Sequence, residues 1–598
     1  MALPASPSRR WRQRLFASAL SCAVSVSALA TAQAAPGGDA LNFGGATTSR
    51  PPIPSTLGAH GMVVSAQHLA SDVGARILRD GGNAVDAAVA VGYALAVVYP
   101  AAGNIGGGGF MTLRTPDGKA YFIDFREHAP LAATETMYQD KDGKIIKGLS
   151  TIGWKSVGVP GTVAGLDLVL KRWGRLSRAK VMAPAIALAG EGYTLEENDV
   201  HLLNTSTKAF INDLYATKIF LRADRRPFAI GERFKQTDLA HTLQAIADKG
   251  PNVFYRGWIA EETVRVSKEN GGLLTMADFA AYKPRVMAPV RCTYRGYQID
   301  TAPPPSGGGV ALCEMLNILS GYDLKAEGLY SALSTHQEVE AMRHTYSDRR
   351  DLGDPAFVKN PVDHLIDPAY AAKIRAGIPA EDAVASASLV AGDPQPEKRE
   401  TTQYSIMDHS GYAVSVTYTL NGWFGAKVMA GSAGYFLNDE MDDFSSKPGE
   451  SNMFGIVGSK ANAIAPGKTP LSSMSPTILS KDGKAIMAIG SPGGSRIPTI
   501  TLAAILGVID YGMTIQEAVD MPRIHEQWQP EAVEIEPGAL AEPVMVTLRA
   551  HGYTLETHQP WGSVEGVLAG GAKLGSHPDG HFYGGYDRRH AGGGATGE

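Results

Sequence analysis

Two adjacent threonines, Thr401 and Thr402, open the strand-like stretch TTQYSIMD directly after GDPQPEKRE, a charged, Pro-containing run with the character of an exposed connection. A threonine hydroxyl is a poor nucleophile at neutral pH until a base takes its proton. One solution is the residue's own α-amine, which exists only after the chain is cut in front of it. Further along, GSPGGSRIPTITLAAILGVIDYG reads as a strand that ends in Gly493-Gly494 and enters a helix, with Pro498 in its first turn and Gly512 as its stop. Such a junction offers free backbone N–H groups to whatever sits above it, as a developing oxyanion requires. Together these features raise the question of catalysis coupled to processing of the chain.

Two hairpins must position these groups. TQYSIMD and YAVSVTYTL flank His409-Ser410-Gly411, and a turn centred near Ser410-Gly411 sets Thr401 opposite about Leu420, between Thr419 and Asn421. SSMSPTILS and KAIMAIGSPGG flank Asp482-Gly483, and the same rule sets Ser472-Ser473 opposite Gly493-Gly494. Polar residues thus collect at the open end of each hairpin. Upstream, GMVVSAQHLASDVGARILRDGGNAVDAAVAVGYALAVVYP predicts a short strand, an amphipathic helix and a very apolar core helix ending at Pro100. Helical patterns such as APAIALAGEGY and TDLAHTLQAIADKG alternate with short strands such as YRGYQID, with no fixed-period repeat. TIQE, Thr514 to Glu517, fits a capping box.

ETTQYS, TYTLN, NDEMDDF, PLSSMSPTI and GSPGGSRI, in this order and with GNIGGGGF and IDFREHAP upstream, closely resemble the γ-glutamyltranspeptidases, from about Gly61 to about Tyr586. The resemblance implies an α+β fold, the N-terminal-nucleophile hydrolase αββα sandwich. It also implies a precursor that cuts itself between Glu400 and Thr401 into a large and a small subunit that stay together. Thr401 then becomes both nucleophile and, through its new amine, proton acceptor; an α-amine has an unperturbed pKa of about 7.7 to 8.

The implied substrate is a γ-glutamyl compound, usually glutathione, whose glutamyl end carries a carboxylate and an ammonium. By the resemblance, Arg126 forks onto the carboxylate with Ser472 and Ser473 donating beside it. Asn421, Glu440 and Asp443 take the ammonium, Gly493 and Gly494 hold the oxyanion, and Thr419 supports Thr401. The implied cycle acylates Thr401 with loss of cysteinylglycine, then passes the glutamyl group to water or to an amino acid or dipeptide. No metal or organic cofactor is implied. Taken singly, Arg126 and Asp443 read as surface charges, and Ser472 and Ser473 as turn formers.

Two positions depart from the family pattern. Gln403 stands where many bacterial members have His, which alters local hydrogen bonding rather than chemistry. In FSSKPGESNMFGIVGSKANA, which matches the family's lid loop, Phe454 stands where Tyr is often found, so it shields the pocket without donating toward Asn421 and leaves the lid more weakly latched. The glycine loops of GNIGGGGF and TAPPPSGGG lack the lysine of a phosphate loop and fit close backbone packing instead. HEQW lacks the second histidine of a zinc helix, and there is no G-x-S-x-G elbow. The rival readings are a glutaryl or cephalosporin acylase of the same superfamily, which need not recognise an ammonium, and a non-processed γ-glutamyl-binding relative.

The 598 residues, 44% hydrophobic and 19% charged, describe an ordinary globular protein, and a net charge of -5 provides no global attraction to nucleic acid or anionic membranes. RRWRQR, an apolar run and Ala32-Gln33-Ala34 read as a signal peptide over residues 1–34, cleaved near Ala34, for export to the periplasm or medium without a lasting membrane span. Residues 35–400 then form the large subunit and 401–598 the small one. Of the three cysteines, Cys292 and Cys313 survive that processing, and they either pair or stay two separate buried thiols.

Overall fold

The computed structural model describes residues 51–389, 401–575 and 579–598. The expected signal peptide, its cleavage site and the connection ending in Glu400 lie outside them.

Two seven-stranded sheets form the centre. In chain order, the strands nearest the site are β1 (Gly61–Ser65), β2 (Gly108–Arg114), β3 (Tyr297–Thr301), β4 (Thr402–Asp408), β5 (Ala413–Thr419), β6 (Thr477–Lys481), β7 (Lys484–Gly490) and β8 (Glu565–Ala569). The first sheet runs β1-β4-β5-β2 through its middle and the second β8-β7-β6-β3, with antiparallel pairing throughout. The period-2 pattern of β4 and β5 explains the stacking. Tyr404, Ile406, Val414, Val416 and Tyr418 point to one face and join the largest apolar core, while Met407 and Ala413 meet Ile478, Ala488 and Val567 between the sheets.

Helices cover the outer faces. α1 (His68–Arg79) and α2 (Ala84–Val98) pack on the first sheet, and α3 (Gly308–Leu319), α4 (Ala332–Asp348) and α5 (Ile497–Ile509) form the opposite layer. Every residue of α2 is buried, as its very apolar sequence predicts, and its N-terminus is closed by an Asn83–Asp86 capping box. Cys313 of α3 is disulfide-bonded to Cys292 of the neighbouring strand Val290–Tyr294, which settles the pairing that sequence left open. The result is the αββα sandwich. No helix among the described residues is long and apolar enough to cross a membrane.

Near the site the layer between the sheets turns polar. Gln403, fully buried, receives a hydrogen bond from Thr417 Oγ1 (2.6 Å) and donates from Nε2 to the Tyr404 carbonyl, Ser405 Oγ and Ser415 Oγ. Ser405 and Ser415 donate in turn to the Glu565 and Ile489 carbonyls of the second sheet. Gln403 is therefore a hydrogen-bonded link between the sheets just below Thr401.

Candidate active site

Thr401 is 5% exposed and sits one residue ahead of β4. The ladder pairs Thr402 with Tyr418, which places Thr401 across from Thr419 rather than Leu420. The one-residue difference arises at the turn. It is a three-residue loop, His409 to Gly411, in which Gly411 adopts φ 93° and the Asp408 carboxylate accepts from Ser410 Oγ and the Tyr412 amide. Thr419 Oγ1 accepts the Asn421 amide at 2.9 Å, so the threonine also closes the turn that carries Asn421. Asn421 takes φ 74°, a left-handed conformation that asparagine tolerates, and its Nδ2 donates to the Asp439 carbonyl at 3.1 Å.

The second hairpin does not reach Ser472-Ser473 by strand extension. β6 begins only at Thr477, and a bulge between Leu479 and Ser480 shifts the register. Ser472 is instead held by the TAPPPSGGG loop. It forms a parallel bridge with Ser306, its amide donating to the Pro305 carbonyl and its carbonyl accepting the Gly307 amide, both at 2.8 Å. Here glycine is required for close approach, since a Cβ on Gly308 would lie 2.0 Å from the Ser473 carbonyl oxygen. GNIGGGGF does the same on the other side, where a Cβ on Gly107 would lie 2.0 Å from the Thr419 carbonyl oxygen. Both glycine loops therefore have the packing role expected of them.

Arg126, 1% exposed, faces Glu440 and Asp443 directly. Its Nη1 lies 2.6 Å from Glu440 Oε1, its Nη2 donates to Asp443 Oδ2, and its Nε donates to the Pro470 carbonyl at 3.1 Å. The Glu440 contact is a close ion pair, and neither oxygen of the adjacent buried Glu127 accepts a hydrogen bond from the described residues. Burial pushes the Glu440 carboxyl up to about 8 and Asp443 up to about 6 against the opposing pull of Arg126. Glu127 is raised well above its ordinary value, by burial first and by Glu440 next. The guanidinium expected to meet a substrate carboxylate is thus engaged by the two carboxylates expected to meet the ammonium.

Gly493 (φ 142°) and Gly494 (φ 57°) make the turn between β7 and α5, conformations that L side chains rarely adopt, and Pro498 lies in the first turn of α5 as expected. Thr401, Thr419, Asn421, Arg126, Glu440, Asp443, Ser472, Ser473 and Gly494 all line one cavity, and Gly493 adjoins it in the chain.

The loop that matches the lid lines this cavity with Phe454 and Ile456, and Phe454 is 4% exposed. Sequence reasoning missed how the lid is held. The Met453 amide donates to Asp442 Oδ2 (2.9 Å), Asn452 Nδ2 donates to Asp443 Oδ1 (3.2 Å), and Asn452 Oδ1 accepts the Phe454 and Ile456 amides. Asn421 Nδ2 also lies 3.5 Å from Met453 Sδ, a weak contact. NDEMDDF carried the signal for Asp442, beside the singled-out Asp443. Nothing local in sequence marks Asn452 or Met453.

A threonine at the head of a central strand, two antiparallel sheets stacked between helical layers and a Gly-Gly turn leading into a helix define the N-terminal-nucleophile hydrolase class. The γ-glutamyltranspeptidase family model matches residues 70–597, and the chain belongs to that family. A glutathione hydrolase proenzyme of Pseudomonas sp. (strain A14) is 54% identical over 533 residues, 89% of this chain and 93% of its own. That of Escherichia coli (strain K12) is 43% identical over 531 residues, 88% and 90% of the two chains. Among solved structures, the cephalosporin acylase from Bacillus halodurans superposes with a TM-score of 0.79 at 26% identity, covering 92% of this chain and 98% of its own.

Proposed function

We propose that this protein is a self-processing γ-glutamyltranspeptidase that cleaves glutathione and related γ-glutamyl compounds and passes the glutamyl group to water or to an amino acid or dipeptide. The observation that carries the reading is the single cavity shared by Thr401, the Gly494 turn and the Arg126–Glu440–Asp443 cluster. An acyl-transfer nucleophile and a set of buried charges matched to an amino-acid head group have little reason to meet otherwise.

In this reading the precursor is cut between Glu400 and Thr401 into residues 35–400 and 401–598, which remain a heterodimer, after export directed by residues 1–34. Thr401 Oγ1 attacks the γ-carbonyl carbon while the new α-amine takes its proton. The carbonyl oxygen gains charge and is met by the Gly493 and Gly494 turn. The leaving amine collects the proton, and an ester on Thr401 remains. Water or an acceptor amine then attacks that ester with the α-amine again as base, restoring Thr401. The substrate carboxylate is held by Arg126, Ser472 and Ser473. Its ammonium is held by Asn421, Glu440 and Asp443, which weakens their hold on Arg126.

Intact mass of the wild type beside Thr401→Ala tests the nucleophile. Two chains in the first, the smaller beginning at Thr401, and one in the second is the expected result; two uncut chains would refute it. The acylase reading is favoured by the likeness to the Bacillus halodurans structure. It is separated by comparing γ-glutamyl and glutaryl anilides, which differ only in the ammonium. The Glu440–Asp443 pair favours the γ-glutamyl donor.

A further inference from the structure

Around the cavity, one cation has no carboxylate of its own in contact. Arg126 is matched by Glu440 and Asp443, with Glu127 behind. Arg349, in the turn that follows α4, is 2% exposed and forms no ion pair with a carboxylate among the described residues. Its Nη2 donates to Ser473 Oγ at 3.0 Å and to the Ser472 carbonyl at 3.3 Å, while Nε and Nη1 are buried without a hydrogen-bond partner among the described residues. The guanidinium lies over the Tyr346 ring, 5.5 Å from its centroid, and a Cβ on Gly307 would come within 3.1 Å of its Nε. It also lines a second cavity, which shares Asp443, Ile456 and Leu471 with the Thr401 cavity.

A buried guanidinium without a carboxylate in contact is costly, and burial pulls its pKa down against the weaker opposing pull of Tyr346 and Asp443. An arginine retained there needs a negative charge that arrives later. Whatever anion enters the Thr401 cavity at Ser473 supplies it, because Arg349 donates to the hydroxyl that would itself donate to that anion. The chain of donors polarises Ser473 Oγ–H toward the ligand.

We propose that Arg349 is the second cation of the donor's α-carboxylate subsite, a positioning residue that acts through Ser473 and adds positive charge beside Arg126, whose own charge is shared with two carboxylates. The proposal rests on the γ-glutamyl reading above.

The test uses mature wild type, Arg349→Gln and Arg349→Lys, each checked for cleavage at Thr401 by intact mass. Donors are L-γ-glutamyl 7-amido-4-methylcoumarin and its counterpart with the α-carboxylate replaced by a carboxamide. With the carboxylate donor, Arg349→Gln is expected to raise KM at least about tenfold with kcat within about threefold, and Arg349→Lys to recover part of the loss. With the carboxamide donor, both variants should stay within about threefold of wild type in kcat/KM. An equal loss on both donors overturns the proposal, since Arg349 would then only brace the loop. If Arg349→Gln stays uncleaved, Arg349→Lys carries the same comparison. If the wild type cleaves neither donor, the γ-glutamyl reading fails, and this proposal with it.

Discussion

Arg126 Nη1 and Glu440 Oε1 lie 2.6 Å apart, and each side chain is 1% exposed. Removing one member of such a buried pair strands the other charge, at a cost of about 3 to 5 kcal/mol. Arg126→Gln leaves Glu440, Asp443 and Glu127 facing one another, so its thermal midpoint should fall by several degrees, as calorimetry would record. Glu440→Gln, which keeps the shape and leaves Arg126 paired to Asp443, should fall much less. A midpoint for Arg126→Gln equal to wild type would mean the cluster is already neutralised by protons.

Proton uptake by these carboxylates makes ligand binding pH-dependent, and the sign follows from the head group. A substrate ammonium favours ionised Glu440 and Asp443, whose free-state values are raised to about 8 and about 6. Protons therefore compete with the ligand. The inhibition constant of L-glutamate should rise as pH falls through that window, by up to about tenfold per unit for each carboxylate involved. Glu440→Gln should flatten the upper part. Titration calorimetry at pH 7 in buffers of different ionisation enthalpy should show proton release on binding by the wild type, and less by the variant.

Much of this site was legible in the chain because its chemistry sits at element boundaries. Thr401 precedes a strand, Gly493-Gly494 turns from one into a helix, and both hairpins read correctly as hairpins. The failures have physical causes. A three-residue loop moved the first register by one, and a bulge in the second left Ser472 to be placed by Ser306, far away in sequence. Arg349 and Asn452 carry no local signal at all. Their burial and partners come from packing that brings distant segments together, which a strand or helix period cannot report.

Asn452 ties the lid to the site through Asp443 and to itself through two backbone amides. Asn452→Ala removes all three bonds, the one to Asp443 included, while leaving every ionisable group of the cavity in place, and the lid should open more often. The expected outcome is a donor KM raised about three- to tenfold, with faster proteolysis between residues 446 and 460 and unchanged cleavage at Thr401. Phe454→Tyr works in the opposite direction if its hydroxyl reaches Asn421 Nδ2 or Oδ1. A lower KM and slower proteolysis would show that the missing hydroxyl had left the latch weak.

The two glycine loops brace opposite ends of the site, so the same small substitution should separate processing from binding. A Cβ on Gly107 would lie 2.0 Å from the Thr419 carbonyl, and one on Gly308 would lie 2.0 Å from the Ser473 carbonyl. Backbone atoms cannot swing aside as a flexible side chain can, so each methyl displaces the strand or loop it meets, at about 1 to 3 kcal/mol. Gly107→Ala pushes on the residue across from Thr401 and should slow chain cleavage at least about tenfold, leaving uncut precursor on a gel. Gly308→Ala pushes on the serine pair and should mature at close to the wild-type rate, yet bind γ-glutamyl donors about tenfold more weakly. If both variants lost cleavage and binding in equal measure, the two ends would be mechanically one unit, and the separate roles assigned to Thr419 and Ser473 would fall.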